Sequence, residues 1–137
     1  MDETGNSSVL LVARCLLAGL FLWSGIGKIT GYDEAGQFMV QHGTIGLLLP
    51  VAIMVEIGGA FLLIVGWKVR FAAVALAGFC VVTALLFHAN FTDRAQMIHF
   101  LKNVALAGGL LALYVSGPGR LSFDGVDQSD REVRGRL

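Results

Sequence analysis

The chain is poor in charge. Only 15% of its 137 residues are Asp, Glu, Lys or Arg, against about 25% in an ordinary soluble domain, so it has too little polar surface to cover a water-facing exterior. No sign of charge is in excess: ten basic residues balance ten acidic ones, which gives no support to a nucleic-acid partner. Proline is scarce, with two residues, and the eighteen glycines are scattered among apolar residues, which excludes collagen-like and disordered chains. The two cysteines, Cys15 and Cys80, lie inside apolar runs and form no CxxC or metal-ligand spacing; both read as small apolar packers. A phosphate loop after a strand, an HExxH pair and a nucleophile elbow are all missing. What remains is apolar: 55% of the residues are hydrophobic and the mean hydropathy is +0.73.

About 20 apolar residues in a helix cross a hydrocarbon core of about 30 Å. Four segments meet that length, at about Val9–Gly27, Ile45–Gly66, Val69–His88 and Met97–Ser116. A membrane β-barrel would require alternation over about ten residues, and runs such as Ala72–Leu86 do not alternate. The expected fold is therefore all-α, an integral-membrane four-helix bundle over residues 9–124. Residues 1–8 are read as a short cytoplasmic leader and residues 125–137 as a cytoplasmic tail; the stretch from Leu121 onward reads as a mobile extension. The first span is not a cleavable signal peptide, because Asp2 and Glu3 precede it and Lys28 follows it. Lys68 and Arg70 in the second connection, with Arg120, Arg131, Arg134 and Arg136 near the C-terminus, outweigh Lys28 and Arg94 on the other side. The positive-inside rule then places both termini in the cytoplasm. The first connection, Ile29–Thr44, is long enough for a short interfacial helix or an exposed loop. Trp23 reads as a core aromatic and Trp67 as an interfacial one.

Ionisable groups at membrane depth cost about 2.5–3.5 kcal/mol each on insertion scales. Glu56 lies about ten residues from either end of its span, too deep to snorkel, so its carboxyl is either protonated or paired. Three of its helical neighbours, Ala52, Gly59 and Ala60, are small, which turns this face towards the bundle interior. Arg14 either snorkels or turns inward. Its alignment with Ala18, Phe21, Gly25 and Lys28 at spacings of 4, 3, 4 and 3 favours the inward direction and brings a pair with Glu56 within consideration. Lys28, His88, Lys102 and Asn103 fall at one outer level. Ala77, Val81, Ala84 and His88 share a second stripe. These residues either form a cation-rich pocket for an anionic or carbonyl-bearing head group, or snorkel outward. His88 and His99 have no acidic or cysteine partner at ligand spacing, so no haem or metal site is expected.

Arg14, the run Phe21-Leu22-Trp23-Ser24-Gly25-Ile26-Gly27-Lys28, Glu56-Ile57-Gly58-Gly59, Val65-Gly66, His88, Phe100-Leu101-Lys102-Asn103, Gly117-Pro118-Gly119 and Leu121-Ser122-Phe123-Asp124 follow one another in order. Together they resemble the DoxX family of small bacterial four-helix inner-membrane proteins over about residues 9–124. The family is similar to DoxD, the membrane subunit of a thiosulfate:quinone oxidoreductase. The resemblance implies a multi-pass inner-membrane protein that acts as a subunit of a redox system, with quinone as a candidate cofactor and a second protein as a candidate electron donor. In that reading Glu56 is the proton-exchanging catalytic residue, and Arg14, Lys28, His88, Lys102 and Asn103 bind the ligand. The alternatives are a non-catalytic membrane anchor or homo-oligomeric assembly partner, and a small proton-coupled transporter.

Overall fold

The computed structural model describes residues 3–126. Five α-helices follow in order: α1 (Glu3–Thr30), α2 (Tyr32–Gln41), α3 (Leu49–Val65), α4 (Val69–Phe87) and α5 (Arg94–Ser116), with a 3-10 turn at Gly46–Leu48 before α3. There is no strand among the described residues. Four of the helices, counting the 3-10 turn with α3, are long and apolar enough to span a membrane. The spans read from sequence are all present, and the differences lie at their ends. The first helix starts at Glu3 instead of near Val9, so most of the segment read as a leader is helix. The fourth spanning helix starts at Arg94, three residues early, because Asp93 caps it by accepting the Ala95 amide at 2.9 Å.

The helices run alternately up and down. Helix α1 packs along α3, α4 packs along α5, and α3 touches α4, whereas α1 and α5 meet only briefly. Small residues set the closest approaches. A Cβ on Gly25 would lie 2.7 Å from the Ile57 side chain, and one on Gly59 would lie 2.8 Å from Leu76; side chains there would push α1 off α3 and α3 off α4. The core, built from residues such as Ala18, Leu63, Val69, Ala73, Leu76, Leu110 and Leu113, is concentrated in the half of the bundle that carries the α3–α4 turn; inner and outer denote that half and the opposite one, irrespective of the side of the membrane.

The inner end is laced shut by the segment after α5. Gly66 ends α3 in the left-handed conformation (φ 77°, ψ 32°), where glycine alone is unstrained. Lys68, also left-handed at φ 48°, leads into α4. The Asp124 carboxylate accepts the Lys68 and Val69 amides at 3.0 Å each, so α4 is capped by a residue from the far end of the chain. The Asp124 amide in turn donates to the Gly66 carbonyl at 2.9 Å, and the Arg120 amide donates to the Ser7 hydroxyl. The expectation of a mobile extension from Leu121 is therefore corrected for residues 121–126. Their backbone polar groups complete those of α1 and the α3–α4 turn, which ties them down. Arg131, Arg134 and Arg136, counted above for topology, lie outside the described residues.

Helix α2 occupies the opposite end. It turns the first connection into a short helix whose Met39 is buried and whose Phe38 packs on His42 and Phe87, at 4.1 and 5.7 Å between ring centroids. The Thr44 hydroxyl donates to the Met39 carbonyl at 2.6 Å and closes its C-terminus.

Candidate ligand site in the outer half of the bundle

The stripe on α1 faces inward: Arg14, Ala18, Phe21 and Gly25 are buried and Lys28 is partly so. Its two cations lie 14 residues apart, about 21 Å along the helix, and they do different things. Arg14 is 0% exposed and donates from Nη2 to the Leu121 carbonyl. Its guanidinium packs against Gly66, where any side chain would collide with Arg14 and Ser122. Arg14 therefore belongs to the inner lacing, and no Arg14–Glu56 pair forms.

Glu56 pairs instead with Lys28. The ammonium lies 3.0 Å from both carboxylate oxygens, and it donates to the Ser24 hydroxyl at 2.7 Å. Ser24 donates to Glu56 Oε1 at 2.8 Å. The three groups form a closed triangle across α1 and α3. Glu56 is 3% exposed, while the Lys28 side chain keeps 29% of its surface. The cation bridges the buried carboxylate to open space.

That space is a cavity of about 580 Å³, within the range of small-molecule sites. All five helices contribute to its wall. The apolar part includes Leu20, Val51, Val55, Phe79, Leu86 and Leu106; the polar end is formed by Ser24, Lys28, His88, His99, Lys102 and Asn103. Of the residues singled out from sequence, Lys28, His88, Lys102 and Asn103 all border this cavity, Glu56 is joined to it through Lys28 and Ser24, and Arg14 lies apart.

The inward stripe of α4 differs from the one read in sequence. Val81 faces outward, and Cys80 takes the buried position between Ala77 and Ala84, because the true face steps 4, 3, 4 from Ala73. Trp23 is 82% exposed, at the rim of the cavity rather than in a core. Of the two cysteines, Cys80 is buried as a packer and Cys15 is on the outward surface.

Three residues that sequence reasoning left out of the site belong to it. Ser24 completes the triangle, and its position four residues before Lys28 was a usable signal. His99 stacks on His88 with centroids 5.1 Å apart and planes at 29°. Gln96 Oε1 lies 2.7 Å from His88 Nδ1, within hydrogen-bonding distance, and orients the ring. Among the described residues no group of three or more His, Cys, Asp or Glu side chains is placed to hold a metal.

Comparison with known proteins agrees with this architecture. The DoxX family model matches residues 9–89. The chain belongs to the DoxX family. It is 43% identical over 115 residues to the inner membrane protein YqjF of Escherichia coli strain K12, covering 84% of this chain and 88% of that one. It is 33% identical over 124 residues to the inner membrane protein YphA of the same organism, covering 85% and 88%. No solved structure matches the chain. This DoxX protein is thus a multi-pass inner-membrane protein with an α-helical bundle fold.

Proposed function

We propose that this DoxX protein is the membrane subunit of a quinone-linked redox system, in which the outer cavity receives the head group of a quinone and a partner protein supplies the electrons. The observation that carries this reading is the Lys28–Glu56–Ser24 triangle on the wall of a largely apolar cavity. The residues fit such a molecule: apolar walls suit a hydrocarbon tail, and Lys28, Lys102, Asn103 and the histidines offer donors for carbonyl oxygens. A quinone, when bound, supplies reversible uptake of electrons together with protons. Lys28 holds a proton at Nζ facing the cavity, Glu56 keeps that ammonium charged, and Ser24 fixes the direction of both. Arg14 has no direct part in this site. Orientation follows from the basic residues: Lys68, Arg70 and Arg120 gather at the laced end, so that end is assigned to the cytoplasm and the cavity to the opposite side.

Native mass spectrometry of the protein gently extracted from its own membrane tests this. A bound quinone that disappears in Lys28→Met or Glu56→Gln, together with a co-isolated redox partner, is the expected result. Preparations from which no quinone is recovered, and whose quinone-dependent turnover with the partner is unchanged by Glu56→Gln, would remove the redox role.

A second reading, a non-catalytic assembly partner, draws on Gly19, Gly108 and Gly109. These have open space where a side chain would stand, so a further transmembrane helix could approach closely. In that case Glu56→Gln leaves partner recovery intact and no quinone is found.

A further inference from the structure

The polar end of the cavity is unbalanced. No carboxylate among the described residues lines it. The one buried carboxylate nearby, Glu56, is already occupied by Lys28 and Ser24. Acidic residues elsewhere at this end are turned to other work: Asp93 caps α5, while Asp33 and Glu34 sit in the first turn of α2, and none of the three borders the cavity. Two polar lining groups are also spent, since the Thr44 hydroxyl bonds the Met39 carbonyl and the Thr83 hydroxyl bonds carbonyls of its own helix. Lys102 and Asn103 remain, with no side-chain partner among the described residues, beside the stacked His88 and His99. An ammonium at the wall of an apolar cavity is stabilised most by an anion, because charge-assisted bonds strengthen where water is sparse. A neutral head recovers less of that energy, and a cationic head is repelled.

We infer that this rim is a receptor for the acidic head of an amphiphile, a carboxylate or phosphate held by Lys102 and Asn103, whose chain lies along the apolar wall that includes Val51, Val55, Phe79 and Leu86. The inference shares with the redox reading the premise that the cavity is a ligand site, and it is independent of electron transfer. The acid is bound as such; no bond is made or broken.

The test uses the full chain in nanodiscs of phosphatidylcholine, with dansyl-undecanoic acid and its methyl ester as fluorescent probes. The acid is expected to bind at least about tenfold more tightly than the ester, a difference of about 1.4 kcal/mol. Lys102→Gln should weaken the acid by a similar factor and the ester by much less, whereas Lys102→Arg should restore most of the affinity for the acid. Lys102 is exposed, so these variants should melt as the parent does, and Asn103→Ala gives an independent check. Competition by palmitate or by hexadecyl phosphate assigns the head as carboxylate or phosphate. Equal binding of acid and ester, no effect of Lys102→Gln in a protein that melts normally, or no displacement by either competitor overturns the inference. Decylubiquinone binding, measured in the same preparation, bears on the redox reading alone, so the two can fail separately.

Discussion

Two cations on one face of α1, Arg14 buried and Lys28 partly so, meet opposite fates. Arg14 is walled in by the turn after α3 and by the C-terminal segment, and its hydrogen bond goes to a backbone carbonyl. Lys28 is held by a carboxylate and a hydroxyl and keeps part of its surface open to a cavity. The halves of the bundle differ in the same sense. The inner half is filled by alanines and leucines and sealed by main-chain bonds, while the outer half is hollow and lined with side-chain donors. A charge bonded to the backbone and walled in by it helps to fix a shape. Charge satisfied by a titratable group beside an open space is available for chemistry.

Substitutions can break that contrast, and the inner end should be the more sensitive in stability. Gly66→Ala introduces a Cβ at φ 77° that collides with Arg14 and Ser122. Strain and overpacking together should cost about 3 kcal/mol, seen as a large drop in melting temperature in detergent. Asp124→Ala removes the cap on two α4 amides and should cost about 2 kcal/mol, with faster hydrogen exchange confined to the start of α4; uniform protection in the variant would refute the capping role. At the outer end the order of effects reverses. Glu56→Gln keeps a hydrogen-bonding group of the same shape, so stability should fall by about 1 kcal/mol, while quinone binding or turnover falls at least about tenfold. Ser24→Ala should be the mildest, about 1 kcal/mol or less in stability, with a weaker version of the Glu56→Gln binding defect. A larger melting shift for Ser24→Ala than for Asp124→Ala would erase the distinction between the two ends.

The four spans were legible because each is a long apolar run, and the inward turn of Glu56 was legible from Ala52, Gly59 and Ala60 at helical spacing. The identity of its partner was not. Arg14 and Lys28 share one stripe, and the choice between them depends on how far α1 is shifted along α3, which Gly25 against Ile57 helps to set. The convergence of Lys28, His88, Lys102 and Asn103 follows from helix ends meeting at one level, a matter of span length and alternating direction. The docking of Leu121 and Asp124 was not legible from periodicity, since each of its bonds pairs one side chain with a main-chain group of the kind every sequence carries. His99 escaped notice because the question put to it was metal ligation, whereas its partner is another ring.

The cap on α4 joins residues 55 and 56 positions apart in the chain, and the Arg14 bond spans 107. During synthesis, α4 enters the membrane with its first amides open, and they stay open until the segment carrying Asp124 leaves the ribosome. Closure of the inner end therefore cannot precede synthesis of the segment after α5, which follows all four spans in the chain. A chain stopped short of Asp124 would carry its defect at the start of α4, far from the break in sequence, and would show quality-control machinery an uncapped helix end.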